Sequence, residues 1–497
     1  MIFLESKLYT ITNYNVNFTS ANAWSFIMII GVLFLGILIA HILKRNIGFL
    51  KRSLIPTSVL AGIIILIVST IYESLNGGEL FFNTPLFSVT NEENEIVQSG
   101  SEILQLITYH CLGIGFVAMG LRQSKKKTQK VSSTDVFNTG VTTVSTYALQ
   151  GGIGLLITII FSKFNDKILP GSGSLLSLGY GQGTGQALNF GQQFEEVATK
   201  SGTIFYGANF GLTLAALGFL SASVGGVIYL NVIRAQKKIT THLDVEEALS
   251  LDDYQEENDI ETSGSIDKLT IEVGIIALVY SLSFFLMKLL AKLAPSMAST
   301  FFGFNFLLGT LLSVVAKALL NFLKKKNVIK KNYLNNYLLN RVGGTAFDIM
   351  IVAGIAVIDL KLLLDYWLVL VVLGICGLVF TLFYIRLVSH KLFKGYMYEE
   401  LFAMYGMLTG TASTGMILLR EIDPNFESPA ADNLVYQNLP AIILGLPLIV
   451  WIMPSIIYKG QVVEMTIATF AYFIILQIIL FRSKIFKSKN KKVESVE

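Results

Sequence analysis

Apolar residues in this 497-residue chain gather into eleven runs, near 23–43, 54–72, 103–121, 136–161, 203–233, 269–293, 299–323, 337–360, 363–388, 434–457 and 463–482. Runs of roughly 18 or more such residues make helices long enough to cross about 30 Å of hydrocarbon. Two further stretches, about 171–193 and 399–421, keep the apolar character but are interrupted by glycine and hydroxyl residues. Their centres read Ser177-Leu178-Gly179-Tyr180-Gly181-Gln182-Gly183-Thr184-Gly185-Gln186 and Met407-Leu408-Thr409-Gly410-Thr411-Ala412-Ser413-Thr414-Gly415-Met416. Glycine weakens a helix, and backbone left unpaired in hydrocarbon is costly, so neither stretch can face lipid as a continuous helix. Such backbone is tolerated at membrane depth where it lines a cavity enclosed by protein. Both stretches are therefore expected to be re-entrant hairpins.

One long polar interruption, 234–268, carries an acidic run from Asp244 to Asp267 and reads as a cytoplasmic linker. Five runs and one broken stretch precede it; five runs and one broken stretch follow it, before the extra run at 463–482. An odd number of crossings per unit makes the second copy enter from the opposite side, so the repeats should be inverted, with hairpin 171–193 external and hairpin 399–421 cytoplasmic. The expected fold is an all-α polytopic membrane protein: two inverted repeats of five transmembrane helices, each with a re-entrant hairpin, plus one extra C-terminal transmembrane helix. Its segments are an external N-terminal stretch 1–22, the first repeat 23–233, the linker 234–268, the second repeat 269–458, and the extra helix with a basic cytoplasmic tail, 459–497. Gly113 to Leu121 in run 3 echoes Ile351 to Leu360 in run 8, although an Ile/Gly/Ala-rich composition gives such echoes without repetition.

Composition changes this picture little. With 53% hydrophobic and 14% charged residues, the chain falls well outside the soluble norm of roughly 25% charged. The formal charge of +4 matters less than where the basic residues stand. Lys44, Arg45, Lys51 and Arg52 follow run 1, Arg122 to Lys130 follow run 3, and Arg234, Lys237 and Lys238 follow run 5. Lys324 to Lys331 follow run 7, Arg386, Lys391 and Lys394 follow run 9, and a basic tail runs from Arg482 to Lys492. The loop 73–101 has Glu73, Glu79, Glu92, Glu93 and Glu95 and no lysine or arginine. The expected placement is a multi-pass protein of the cell membrane, amino terminus outside and carboxyl terminus cytoplasmic. No basic region followed by an apolar core and a small-residue cleavage site opens the chain, so run 1 is expected to serve as its own insertion signal. Cys111 and Cys376 lie in apolar runs without disulfide or metal spacing and read as small buried hydrophobes.

The candidate chemistry sits in the hairpins. Sodium is a hard cation that suits carbonyl, hydroxyl and carboxylate oxygens, which an unwound Gly/Thr/Ser segment offers. Thr411, Ser413 and Thr414, with Asp348 in run 8, are the candidate sodium ligands. An anionic substrate would be held at the positive amino ends of half-helices, with backbone N–H groups free to bond it. The candidate substrate residues are Gln182, Gly183, Thr184, Gly185, Gln186, Asn189, Asn209, Thr409, Gly410 and Thr411. The plainer reading is that the glycines only allow close helix packing, and that the neutral polar groups join helices. For Asp348 the alternatives are an ion or substrate ammonium, or neutralisation by Arg341 about two turns earlier. His110 reads as an interhelical donor, Asp359 as the cap of run 8, and Arg420 with Glu421 as the water-facing end of the second hairpin. No enzyme is expected: a paired-carboxylate or His-rich hydrolytic motif is missing, and Gly179-Tyr180-Gly181-Gln182-Gly183 does not satisfy a nucleotide fingerprint.

Across about residues 23–458 the chain resembles the bacterial sodium/glutamate symporters. The resemblance rests on Ile55-Pro56-Thr57-Ser58-Val59-Leu60-Ala61-Gly62, Gly181-Gln182-Gly183-Thr184-Gly185-Gln186-Ala187, Asn209-Phe210-Gly211-Leu212 and Asp359-Leu360-Lys361. The chain departs from the family in having Gln182 where histidine is common, in its Thr409-to-Met416 version of the second hairpin, and in its added last run. The resemblance implies a sodium-coupled symporter of glutamate or a related acidic amino acid, and a homodimer in which a scaffold holds the dimer while a core carrying both hairpins moves as an elevator. Its expected partners are sodium as coupling ion, a small anionic substrate, the bilayer and a second copy of the chain; no other cofactor and no nucleic acid is expected. A transporter of another organic anion, such as a hydroxycarboxylate, shares the architecture.

Overall fold

A computed structural model of the chain describes residues 21–52, 54–90, 96–122, 132–236, 268–295, 298–328, 334–423 and 427–482. Most of the N-terminal stretch and of the acidic linker, the basic tail beyond Arg482, and Lys125 to Lys130, Lys237, Lys238, Lys330, Lys331 and Glu92 to Glu95 lie outside the described residues.

Among the described residues, eleven helices are long and apolar enough to cross a membrane. In chain order these are α1 (Ala21–Asn46), α2 (Thr57–Leu75), α3 (Gly100–Leu121), α4 (Ser133–Phe161), α7 (Gly207–Ala235), α8 (Lys268–Leu293), α9 (Asn305–Lys325), α10 (Asn336–Ala356), α11 (Trp367–Leu392), α15 (Pro440–Lys459) and α16 (Val462–Leu480). Between them lie α5 (Leu175–Gln182), α6 (Thr184–Lys200), α12 (Met397–Thr409), α13 (Ala412–Arg420) and α14 (Ala430–Tyr436). The eleven spans follow the eleven apolar runs, and the chain is an all-α multi-pass membrane protein. Local signals set several boundaries. Ser99 and Glu102 form a reciprocal capping box at the start of α3, Ser132 accepts from Asp135 N at the start of α4, and Asn335 from Tyr337 N at the start of α10. At the far end of α3, Lys317 reaches across from α9 and donates to the carbonyls of Gly120 and Arg122, both at 3.0 Å.

Polar side chains join the helices, as expected where apolar surface gives no drive for helix to meet helix. His110 bonds the Tyr280 hydroxyl at 2.9 Å, linking α3 to α8, and Asn305 donates to Tyr109 O at 2.9 Å, linking α9 to α3. Tyr384 on α11 bonds Ser145 of α4 at 2.6 Å and accepts from Gln477 of α16 at 2.7 Å. Helices α3 and α10 pack along each other, as do α4 and α11.

The two interrupted stretches fold as pairs of short helices. At 1.5 Å per residue even the longest, α6 with 17 residues, reaches only about 26 Å. Gly183 (φ +83°) separates α5 from α6, and Gly410 with Thr411 separate α12 from α13. Gly406 and Gly415, nearly equidistant from the second break, come so close that a Cβ on Gly406 would lie 2.7 Å from the Gly415 Cα; there the chain doubles back. The first interrupted element runs further than the expected 171–193: a 3-10 turn at Pro170–Ser174 precedes α5, and α6 continues to Lys200. The polar tail of α6 hides an apolar stripe, with Phe190, Phe194 and Ala198 buried at four-residue spacing. Within α7 the residues Ser221–Gly225 form a π turn, and Pro447–Ile452 form another within α15.

Candidate functional site

The two helix breaks meet. A Cβ placed on Gly183 would lie 3.5 Å from Thr411 Cγ2, 3.8 Å from Phe219 Cζ and 3.9 Å from the Gly410 carbonyl oxygen. Helices α6 and α13 both begin at this junction, and neither start is capped by a side chain. Two sets of first-turn N–H groups, each at the positive end of a helix dipole, thus open onto one place. The flanking segments 175–194 and 401–419 contain no Asp, Glu, Lys or Arg.

Helix α4 holds both breaks. Tyr147 donates to Gly181 O at 3.1 Å on the first, and Gln150, one turn further, donates to Leu408 O at 2.9 Å on the second. Gln150 also donates to Thr381 Oγ1 of α11 at 2.8 Å. On the opposite side stands the π turn of α7. Tyr180 bonds the Ser221 hydroxyl at 3.0 Å and donates to Gly374 O at 2.6 Å, while Tyr405 donates to the Ser221 carbonyl at 2.9 Å. A π turn offers an inserted residue whose groups are displaced from the helical ladder, a feature frequent at functional sites. Tyr147, Gln150, Tyr180, Ser221 and Tyr405 are absent from the sequence-derived set.

The residues singled out from sequence divide. Thr184 is buried and donates to Met350 O at 3.4 Å, its Cβ lodged against Gly354 of α10; Gly185 faces Leu112 and the Met350 sulfur. Gln182 is half-buried at the end of α5. Gln186, in the first turn of α6, is wholly buried, and neither its amide oxygen nor its nitrogen has a hydrogen-bond partner among the described residues. Asn189 donates to Gly303 O at 3.2 Å, and its own oxygen is unpartnered. Thr409 donates to Tyr405 O at 2.7 Å, and the Thr411 and Thr414 hydroxyls stand 3.3 Å apart across the start of α13. Ser413 lies in α13, its side chain outside the described residues.

Two others are engaged differently. Asn209 accepts from Asp359 N at 2.8 Å, fixing the end of α10, where the Asp359 carboxylate in turn caps Lys361 N at 2.9 Å. Asp348 takes a hydrogen bond from Ser58 on α2, whereas Met350, about 200° further round the helix, faces α6. Arg341 donates to the Tyr337 hydroxyl at 3.1 Å, and no ion pair joins it to Asp348 among the described residues. The structure therefore gathers Gly183, Gly410, Thr411 and Thr414 at the junction, places Thr184, Gly185 and Gln186 in the turn behind it, and turns Asn209 and Asp348 to other contacts.

No protein-family model matches the chain, and no curated protein or solved structure does so either.

Proposed function

We propose that the chain is a secondary active symporter that imports a small anion, glutamate or a related acidic amino acid, with sodium, through an elevator-type alternation of two inverted repeats. The observation that carries this reading is the meeting of two uncapped helix starts at Gly183 and Gly410–Thr411 inside a multi-pass helical protein. Paired half-helix amino ends of this kind suit a carboxylate, and exposed carbonyls beside hydroxyls suit a sodium ion. The inverted repeats are supported by matching parts. Each half has its broken pair between its fourth and fifth spans, each fifth span carries a π turn, and third packs on third and fourth on fourth across the halves.

A second reading has its own observation. The junction lacks an acid to meet a substrate ammonium, because Asp348 is turned to Ser58. An organic anion without an amino group, such as a hydroxycarboxylate, needs no such partner. Uptake into reconstituted vesicles of labelled acidic amino acids, hydroxycarboxylates and dicarboxylates, with and without an inward sodium gradient, decides between the two. Absence of sodium-driven accumulation across the whole panel would sink both.

Two results follow for the proposed parts. Thr411→Val combined with Thr414→Val is expected to raise half-saturating sodium about tenfold, as for a loss near 1.4 kcal/mol, with a smaller change in substrate KM. An unchanged sodium titration in normally expressed protein overturns the cation assignment. Cysteines introduced by Gln186→Cys and Ser413→Cys, in a background lacking Cys111 and Cys376, are expected to react with an impermeant thiol reagent from opposite sides of the membrane. Reaction of both from one side, in right-side-out and inverted vesicles alike, contradicts the inverted topology.

A further inference from the structure

Ten residues before the second break, on the same helix α12, Glu400 is wholly buried with no cation bonded to it among the described residues. Its neighbours are neutral donors and one acid. Thr139 of α4 stands 2.7 Å from Oε1, and Asn433 of α14 donates to Oε2 at 3.0 Å. Asn433 also donates to the Tyr396 hydroxyl at 3.1 Å, and Tyr396 donates to Asp135 Oδ2 at 2.8 Å. Arg482, which reaches α4 one residue before Thr139, donates to Asn138 Oδ1 and Ile479 O.

The hydrogens can be counted. The Thr139 hydroxyl also lies 2.9 Å from the Asp135 carbonyl, an oxygen that only accepts. Its one hydrogen is shared between that carbonyl and Glu400 Oε1, both within hydrogen-bonding distance. The Asn433 amide hydrogens go to Tyr396 and Glu400, and the Tyr396 hydrogen goes to Asp135. Glu400 is thus met by one amide hydrogen from Asn433 and a shared hydroxyl hydrogen from Thr139, and by no countercharge among the described residues. The Asn433 oxygen, wholly buried in the same cluster, has no donor among the described residues. A pocket rich in oxygen and short of hydrogen, around a carboxyl with no countercharge, takes up a proton.

We propose that Glu400 is a proton-binding site, protonated while α12 is seated against α4 and α14 and released when that contact opens. Glu400 bonds Thr139 at one end of the α4–α12 contact, and Leu408 bonds Gln150 at the other, so one parallel pair of helices joins the proton site to the junction. Movement of the α12–α13 element would then expose the acid to water and let it ionise. The release step rests on the transporter reading, whereas the bound proton does not.

Infrared titration of the purified full-length protein tests the proton directly. A protonated-carboxyl band is expected in the wild type at neutral pH, absent from Glu400→Gln and shifted in Thr139→Val, which removes the hydroxyl bonded to Oε1. A band identical in all three proteins, or none in the wild type, overturns the proposal. This measurement needs no substrate, so it stands apart from any failure of the symport reading. In vesicles, the pH profile of uptake between about pH 5 and 9 is expected to flatten in Glu400→Gln, which stays neutral throughout. A Gln variant that keeps the wild-type profile overturns the release step.

Discussion

Gly183→Ala is expected to lower initial uptake at least tenfold in protein that still inserts and folds. Gly183 has φ +83° and ψ −170°, a region open essentially to glycine alone, where a side chain costs on the order of 1–3 kcal/mol. The space itself is not the obstacle, since a Cβ there would meet Thr411 at an ordinary 3.5 Å. The strain acts on the backbone, rotating the first N–H groups of α6 away from the start of α13. Gly395→Ala separates this effect from simple strain. Gly395 has φ +100° and open space around it, in the turn between α11 and α12. Both variants should lose comparable thermal stability, but only Gly183→Ala should lose transport. Equal uptake by the two would show that the junction tolerates a reoriented backbone and does not bind substrate.

Gln186→Leu is expected to move stability and transport in opposite directions. A buried amide with neither atom bonded carries a desolvation penalty of about 1–3 kcal/mol for each unmet group. Leucine fills a similar volume without that penalty, so the melting temperature should rise. Uptake should fall tenfold or more if the amide completes its bonds on the substrate, because losing even one such bond near 1.4 kcal/mol is a tenfold change. Higher stability with undiminished uptake would identify Gln186 as an unrewarded polar group in the packing. Lower stability would mean that it has partners in the membrane-embedded protein.

The spans and both breaks were legible because they depend on apolar length and on glycine, which need no knowledge of neighbours. Facing was less legible. In helices buried on most sides, such as α4 and α10, apolar periodicity does not say which polar residue points where. Asp348, a candidate ligand by sequence, bonds Ser58, while Gln150 and Tyr147, outside the candidate set, hold the two breaks. Asn209, open by sequence between a substrate contact and a helix-joining role, bonds Asp359 N, 150 residues away. The tail of α6 shows the opposite error, since Gln192, Glu195 and Glu196 disguise a helix seated by Phe190 and Phe194. The π turns leave no mark in composition at all, because inserting one residue into a helix changes register without changing which residues are apolar.

Ser221 holds the two breaks by different kinds of atom, a side-chain oxygen for Tyr180 and a main-chain oxygen for Tyr405. Drift at this position therefore acts unequally on the halves of the molecule. Ser221→Ala frees Tyr180 from one of its two bonds, yet no codon change at 221 can delete the carbonyl that Tyr405 uses. The hold on the first break can therefore be retuned by point mutation at 221, while the hold on the second persists through every substitution that keeps the helix.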